Sequence, residues 1–372
     1  MSNKGAIIIN YTGRRGGGNL DAFEMAKALQ EKGEQVFPLL SSGIENLSMW
    51  EEAGFEKLIL VDTYSGKVSF VINTLLFGWK TKSAILKQLG DVPVKAVYCP
   101  MSTMWSDRIN ALFPKAKIIM TIHDPEVHSG TSIWIRLLDQ KKMVYDAIVV
   151  HSKVFVEQVK QMRNSSEPVY YIPLGRHNLY RNIKEKKTMI SYNPKLKNFV
   201  FFGRIEEYKG LDVLEKAWET IDEKYHDKVS LSIVGNGDFS PYTESYKKYT
   251  NVTVINRWIE DGEVESVFLG ENLICVCPYK DGTQSGVILT AMDYGVPTIA
   301  SDTGGIGEQI MDGETGLLVQ PCDVDELVSA MERFVLEENL LESMKPKMQE
   351  FLKEMTWEHS AEMLLEIINK SE

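Results

Sequence analysis

The stretch Asn272–Gln320 reads NLICVCPYKDGTQSGVILTAMDYGVPTIASDTGGIGEQIMDGETGLLVQ. Three short apolar runs in it have the length and composition of strands: Leu273–Cys277, Thr298–Ser301 and Gly316–Val319. A helix-like segment, Val287–Tyr294, lies between the first two runs, and a Gly-Gly turn with a second helical stretch lies between the last two. This alternation predicts a βαβαβ unit with a parallel sheet.

The turn Gly282–Gly286 (GTQSG) joins the first of these strands to its helix. At such a junction the unpaired backbone N–H groups of the helix point outward, together with roughly half a positive charge from the helix dipole. Anions, most often phosphates, bind at such positions. The turn therefore predicts a phosphate site.

The same alternation runs through the rest of the chain. Further strands are predicted at Ala6–Asn10, Gln35–Leu39, Lys57–Val61, Val94–Tyr98, Ile118–Ile122, Ala147–His151, Val169–Ile172, Phe199–Phe202, Val229–Val234 and Val252–Ile255. The pattern predicts an α/β fold of two Rossmann-like, doubly wound parallel-sheet domains that face each other across a cleft. The predicted divisions are an N-terminal domain at 1–183, a linker at 184–197, a C-terminal domain at 198–355 and a last helix at 356–372 that crosses back.

Length and composition agree with this division. A chain of 372 residues with 44% hydrophobic content is expected to form about two soluble domains. No apolar run reaches the roughly 20 residues that span a bilayer, and the N-terminus reads as a first strand rather than a signal peptide. A cytoplasmic protein is expected.

Charge is unevenly distributed along the chain, whose net charge is −11. The first 183 residues carry 22 Lys/Arg and 17 Asp/Glu, whereas the remainder carries 19 and 35. The basic first half suits an anionic lipid surface or acidic acceptor, and an ordinary solvated surface is the equally weighted alternative. Nucleic acid is not expected as a partner, because no basic helix or run stands out.

The four cysteines are Cys99, Cys275, Cys277 and Cys322. Their spacing matches no paired metal motif, and residues two apart on a strand share one face. Buried free thiols are therefore favoured over a zinc site or a disulfide.

Two basic residues follow the first strand of the second domain, in the segment FFGRIEEYKG. Arg204 comes directly after the strand and Lys209 lies at the start of the next helix. Two cations at a strand's carboxyl end suit a diphosphate, and a pair of surface charges is the alternative. Arg257 follows another strand of this domain, where the backbone could meet a nucleotide base. The N-terminal loop Gly16-Gly17-Gly18 would let the backbone approach a ligand closely. For each, a plain turn is about as well supported.

The order of these motifs resembles the C-terminal domain of glycosyltransferase family four, the retaining "group one" transferases of GT-B fold. The motifs are Gly-Arg…Lys-Gly, Val-Gly-x-Gly, Pro-Tyr…Gln-Ser-Gly-Val, Ala-Met-x-x-Gly-Val-Pro, Gly-Gly-x-x-Glu and Asp-Gly-x-x-Gly-Leu-Leu-Val. The resemblance covers Phe199 to about Val335 and is weaker in the first half. It implies a nucleotide-diphospho-sugar as donor substrate, held mainly by the second domain, and no cofactor. It also implies a glycan or lipid-linked acceptor held by the first domain.

The resemblance also assigns roles to residues. Arg204 and Lys209 would bind the donor diphosphate, and the backbone around Ser285, Gly286 and Val287 would receive the distal phosphate. The family usually has two glutamates at the positions of Gly282 and Thr290. Here Thr290 would make a weaker ribose contact, and Asp281 or Gln284 would replace the first glutamate at the sugar.

His123 is the best catalytic candidate, because it follows a strand's carboxyl end and family members carry a sugar-contacting histidine there. Asp124 could orient its imidazole. His151, at the end of the next strand, is interpreted as structural. No Asp-x-Asp pair is recognised as a metal site, so a metal-free mechanism is expected, in which fixed cations and N–H donors stabilise the leaving group.

Three hypotheses remain for the function. The leading one is a retaining glycosyltransferase of bacterial surface glycan synthesis. The others are a GT-B nucleotide-sugar epimerase, and a non-catalytic subunit that binds nucleotide or stabilises a partner transferase.

A membrane contact is a separate question, which concerns the predicted helix Val68–Leu89. This segment combines apolar residues with lysines. Such a helix could contact the inner face of a membrane, or it could simply pack on the sheet. Packing on the sheet is the favoured interpretation.

Overall fold

The computed structural model describes residues 5–14, 16–64, 66–103, 105–123, 125, 145–163, 167–177 and 179–370. Their contacts form two compact units. The first unit takes in the described residues up to Gly175 together with those from Thr356 onward, and the second takes in those from Arg176 to Met355. The division therefore falls before the predicted domain end at residue 183.

The first unit is built on a seven-stranded parallel sheet of order β3-β2-β1-β4-β5-β6-β7. Its strands are β1 (Ala6–Tyr11), β2 (Val36–Ser41), β3 (Ile59–Val61), β4 (Val94–Cys99), β5 (Lys117–Thr121), β6 (Ala147–Val150) and β7 (Val169–Tyr171). Its described helices are α1 (Gly17–Glu31), α2 (Leu47–Glu52), α3 (Lys67–Leu75), α4 (Lys82–Leu89), α5 (Ser106–Asn110), α6 (Val154–Arg163) and, at the end of the chain, α14 (Trp357–Asn369).

The second unit has a six-stranded parallel sheet of order β10-β9-β8-β11-β12-β13. The strands are β8 (Lys197–Phe202), β9 (Val229–Gly235), β10 (Val252–Asn256), β11 (Leu273–Cys277), β12 (Thr298–Ser301) and β13 (Gly316–Val319). Its described helices are α7 (Leu179–Asn182), α8 (Leu211–Tyr225), α9 (Thr243–Lys247), α10 (Asp261–Phe268), α11 (Gly286–Asp293), α12 (Val324–Leu336) and α13 (Leu340–Phe351).

The central strands are buried at every position and almost entirely apolar, because helices cover both faces of each sheet. All six residues of β1 (AIIINY) are buried, and so are all five of β11 (LICVC). Such continuous apolar runs are typical of parallel strands and leave little room for an alternating pattern. Every predicted strand is present, with bounds that differ by at most two residues.

The last helix, α14, packs on the first unit, chiefly against α1. The hydroxyl of Ser360, on α14, donates to the carbonyl of Pro173 at 2.8 Å, and the Lys117 ammonium donates to the carbonyl of Ile367 at 2.7 Å. These bonds tie the end of the chain to strands and loops that lie far from it in sequence.

The segment predicted as one helix, Val68–Leu89, is divided into three pieces. Between α3 and α4 the backbone takes a π-helical turn at Phe77–Thr81. None of the helices that the structure describes is both long and apolar enough to cross a bilayer.

Candidate functional site

The site centres on the carboxyl ends of β8 and β11, which are neighbours in the second sheet. Arg204 follows β8, and the turn Gly282–Gly286 leads from β11 toward α11. A Cβ on Gly203 would lie 3.8 Å from the side chain of Val287, in the first turn of α11. The fold therefore brings the predicted arginine loop to the N-terminus of the predicted phosphate helix.

Lys209 also lies near the N-terminus of α11. It ends a short 3₁₀ turn just before α8, and its ammonium lies 3.8 Å from the ring centroid of Tyr279. The hydroxyl of Tyr279 is in turn 3.1 Å from the hydroxyl of Ser285, the residue at the N-cap position of α11. An unbroken set of contacts thus joins the lysine to the helix N-terminus.

The backbone of Ser285 is bound by a side chain that the sequence did not reveal. The Ser285 N–H donates to Oε1 of Gln309 at 2.7 Å, and Nε2 of Gln309 donates back to the Ser285 carbonyl at 3.2 Å. The Ser285 N–H is therefore occupied and does not point at a guest, contrary to its predicted role. The N–H groups of Gly286 and Val287, in the first turn of α11, have no partner within the helix.

Arg204 is the most accessible group of this cluster, with 66% of its side chain exposed. Its Nη1 lies 2.9 Å from Oε1 of Glu206. An exposed ion pair of this kind contributes little to stability. An arriving anion can therefore replace Glu206 as the partner of Arg204 at a small cost in free energy.

Gly286 is a glycine for a reason that the motif did not indicate. A Cβ there would lie 3.2 Å from Cε1 of His177, whose ring is buried. The other end of α11 is held by the same segment of chain, since Arg176 and Arg181 both pair with the buried carboxylate of Asp293. His177 and the two arginines therefore brace the helix at both ends.

Thr290, the predicted substitute for a ribose-binding glutamate, is buried inside α11. Its hydroxyl donates to the carbonyl of Gly286 at 2.8 Å, one helical turn back. This bond takes up the hydroxyl proton, so Thr290 has no proton to offer a ribose. Asp281 and Gln284 are half-buried in the turn, in the place predicted for them.

The side chain of Arg257 is paired within the protein. Its guanidinium makes a bidentate pair with Glu263, with both N–O distances at 2.7 Å, and donates to the carbonyl of Trp258 at 2.9 Å. This pairing holds the pKa of Glu263 down at about 2. Because Glu263 also accepts from the Glu260 N–H at the start of α10, Arg257 is better explained as a brace for that helix.

In the first unit, His123 lies after β5 as predicted. Its Nε2–H donates to the carbonyl of Pro100 at 2.7 Å, which directs Nδ1 away from that carbonyl. The ring of His151 meets it edge-on, with centroids 4.8 Å apart. Asp124, the predicted orienting carboxylate, lies outside the described residues.

His151 is buried, and its Nδ1–H donates to the carbonyl of Ile172 at 2.9 Å. Burial, with a smaller contribution from the neighbouring His123, lowers the pKa of His151 to about 4. The ring is therefore neutral at pH 7, in agreement with the structural role predicted for it.

The buried neutral His151 makes stability depend on pH. Because its pKa is about 4 in the folded chain and 6.5 when exposed, its contribution is complete above pH 6.5 and is lost as the pH falls toward 4. We expect the first unit to lose roughly 2 kcal/mol between pH 7 and pH 5 from this group. Urea unfolding at both pH values measures the loss, which His151→Gln should remove.

The matched control is His359→Gln, at an exposed histidine of the same unit. That variant should keep the wild-type difference between the two pH values. An equal pH dependence in wild type and His151→Gln would contradict the assignment.

The N-terminal glycine loop starts helix α1. Gly16 has a φ of +91°, a conformation that favours glycine, and a Cβ on Gly18 would lie 2.7 Å from the sulfur of Met101. A Cβ on Gly17 would meet nothing within 4 Å. Backbone conformation thus explains Gly16 and packing explains Gly18 without a ligand, and Gly17 has space beside it.

The structure gives one acidic spacing a structural role, and one cysteine prediction needs correction. The chain does contain one Asp-x-Asp spacing, Asp323-Val324-Asp325, but the Asp323 carboxylate accepts from the Glu326 N–H at 2.9 Å and caps α12. Among the cysteines, Cys99, Cys275 and Cys277 are buried and free as expected, whereas Cys322 is free and exposed.

Comparison with known proteins points to one family. Residues 196–337 match the family described as "Glycosyl transferases group 1". A curated relative is D-inositol 3-phosphate glycosyltransferase from Rhodococcus jostii, which is 27% identical over 190 residues, 48% of this chain and 42% of that protein. The matches span about half or less of the curated relatives, between 36% and 52% for three of them.

Solved structures resemble the whole chain. Sucrose-phosphate synthase from Thermosynechococcus elongatus has a TM-score of 0.70 at 18% identity, with 97% of each chain covered. HepE from Anabaena, in complex with UDP and glucose, has a TM-score of 0.70 at 14% identity, covering 99% of this chain and 100% of that one. At these identities the likeness is one of fold, and it confirms the predicted class of two Rossmann-like parallel-sheet domains.

Proposed function

We propose that this chain, which belongs to the group 1 glycosyltransferases and has the GT-B fold, transfers a sugar from a nucleotide-diphospho-sugar to a glycan or lipid-linked acceptor. The observation that carries the proposal is the meeting of Arg204, Lys209 and the N-terminus of α11 around the ends of β8 and β11. Two cations and two N–H groups that have no partner within α11 would form a site for a doubly charged phosphate group.

The comparisons support a nucleotide sugar as donor. HepE, which has a similar fold, was solved in complexes with UDP and with UDP-glucose. The second unit of this chain, which carries the proposed diphosphate site, is also the part that matches the family. We therefore place the nucleotide diphosphate on the second unit.

In the proposed reaction, the bond between the anomeric carbon and the distal phosphate oxygen breaks, and its electron pair stays on that oxygen. Arg204, Lys209 and the α11 N–H groups would stabilise the added negative charge. The acceptor hydroxyl forms the new bond to the anomeric carbon on the face that the phosphate leaves. Its proton passes to the leaving phosphate oxygen, so that configuration is retained and no metal is required.

His123 is proposed as the side chain of the first unit that contacts the transferred sugar. Its Nε2–H donates to the Pro100 carbonyl, which fixes the orientation of the ring, and we propose that the imidazole meets a hydroxyl of the sugar. Asp281 and Gln284 are proposed for the other sugar contacts. We further propose a role in bacterial surface glycan synthesis, at the cytoplasmic face of the membrane.

Thermal-shift screening of the full chain against UDP-, GDP-, ADP- and dTDP-sugars tests the donor site. A sugar nucleotide at about a hundred times its dissociation constant should add roughly 2.7 kcal/mol to the unfolding free energy of the unit that binds it. The shift should disappear in the double variant Arg204→Ala, Lys209→Met. No shift with any of the four nucleotides would contradict the proposal.

Slow hydrolysis of the bound donor separates a transferase from a non-catalytic nucleotide-binding subunit. A transferase should release free sugar without acceptor, and His123→Ala should reduce that release while keeping the thermal shift. Binding without hydrolysis or transfer would favour the subunit, whereas conversion to an epimeric nucleotide sugar would favour an epimerase.

A further inference from the structure

The segment from Val71 to Leu89 has two apolar faces, and only one of them faces the core. Phe77, Ile85 and Leu89 are buried in the hydrophobic cluster beneath the sheet. Together with the buried Thr81 they recur every four residues, which is the spacing of one helix face. This inner face accounts for the packing that the sequence predicted.

The outer face is also apolar. We name it the α3 patch, and it consists of Val71, Ile72, Leu75, Leu76 and Trp79. Leu75 is 79% exposed and Trp79 is 81% exposed, the highest values among the large apolar residues of the described chain. Val71, Leu75 and Trp79 are again four residues apart, so they form one stripe. A contiguous apolar stripe on a surface indicates a contact with another apolar phase.

Positive charge surrounds this stripe. The exposed side chains of Lys80, Lys82 and Lys87 follow it along the chain, and the exposed carboxylate of Asp62 lies 4.0 Å from the Lys80 ammonium. The exposed Arg108 lies beside it, with its guanidinium donating to the carbonyl of Thr74 at 2.8 Å. From residue 63 to residue 90 the sequence has no Asp or Glu, in a chain whose net charge is −11. The patch is therefore a local basic surface on an acidic protein.

We propose that the α3 patch docks on the surface of an anionic lipid bilayer. Leucine, isoleucine, valine and tryptophan would enter the boundary between headgroups and acyl chains, where tryptophan is enriched. The lysines would remain at the level of the anionic headgroups, with their methylene stems along the apolar surface. This arrangement accounts for both the apolar stripe and the lysines that follow it.

The charge pattern distinguishes a bilayer from a protein partner. Lysine is depleted in protein–protein interfaces, yet three lysines follow this stripe. A second copy of the chain is disfavoured for a further reason. In a symmetric dimer through the same patch, the basic rims of both copies would face each other, and like charges repel. The occupant that complements the whole surface is an anionic membrane.

Co-sedimentation of the full chain with vesicles tests this proposal. Wild type should bind vesicles of phosphatidylcholine with phosphatidylglycerol at least ten-fold more tightly than vesicles of phosphatidylcholine alone. Leu75→Glu with Trp79→Glu should weaken binding to the anionic vesicles more than ten-fold, because carboxylates replace the most exposed apolar groups. Lys82→Gln with Lys87→Gln should weaken it on the order of 10- to 30-fold and reduce its salt dependence.

The matched control is Leu336→Glu, because Leu336 is 61% exposed at the end of α12 in the second unit. This variant should bind vesicles like wild type. Circular dichroism should show equal melting temperatures for all variants, since the replaced side chains are exposed. The nucleotide-induced thermal shift should also be unchanged, so a failure here is distinct from a failure of the proposed transfer.

Three outcomes would overturn the proposal. Wild type could fail to sediment with anionic vesicles, or the Leu75/Trp79 variant could bind them as wild type does. In the third outcome, wild type would form a dimer in solution without vesicles, and the same variant would be monomeric. That result would assign the α3 patch to a second copy of the chain.

Discussion

Arg204→Ala is expected to reduce the rate of sugar transfer by roughly 10²- to 10³-fold. The reason is that its guanidinium would offset the charge that grows on the leaving diphosphate, and removal of one such donor has an effect of this size in other enzymes. The melting temperature should barely change, because Arg204 is exposed and pairs with Glu206 across a surface ion pair. Initial rates with saturating donor and acceptor measure the loss.

The comparison variant for Arg204→Ala is Arg333→Ala. Arg333 is also a half-exposed arginine of the second unit, and it pairs with Glu337 at 2.8 Å on α12, outside the proposed site. Its loss removes the same charge from the chain but should leave the rate unchanged. Equal rates in Arg204→Ala and wild type would show that the diphosphate is held elsewhere.

The fold was predictable because the sequence pattern of each strand and helix can be recognised without its neighbours. Each strand of a covered parallel sheet must be apolar at nearly every position, so runs such as those of β1 and β11 stand out without any knowledge of their neighbours. The strand-to-helix junction before α11 was predictable for the same reason, since a glycine-rich turn between a strand and a helix is visible in sequence.

The partners within the site were not predictable, because they depend on distant contacts. The side chain of Gln309 holds the backbone of Ser285 from a separate loop. His177 packs on Gly286 from more than a hundred positions earlier in the chain. Arg257 was assigned to a ligand because its position after a strand is the only feature that the sequence shows, whereas its pairing with Glu263 is a tertiary contact.

The outer face of α3 illustrates a similar limit. Apolar residues on every side of a segment indicate burial when only the sequence is known, and packing on the sheet was therefore favoured over a membrane contact. The structure shows that one face suffices for the packing and that the other is exposed. The apolar residues that the packing does not need can be recognised only after the inner face has been identified.

Gly210→Ala is expected to be the most destabilising of the substitutions considered. Gly210 has a φ of +70°, and a Cβ there would lie 1.8 Å from the carbonyl oxygen of Pro278. The obstacle is backbone at the end of β11, so it cannot turn aside as a side chain would. The combined strain and displacement should cost roughly 3–5 kcal/mol, which lowers the melting temperature of the second unit by about 6–20 °C.

Gly295→Ala separates the two causes of this loss. Gly295 has nearly the same φ, +74°, but a Cβ there would meet nothing within 4 Å. It should therefore show the conformational strain alone, about 1–2 kcal/mol. Calorimetric scans of both variants measure the difference, and equal losses would mean that the contact with Pro278 relaxes without cost. A larger loss in Gly210→Ala would show that this close approach holds the Lys209 turn against the end of β11, the arrangement on which the proposed diphosphate site depends.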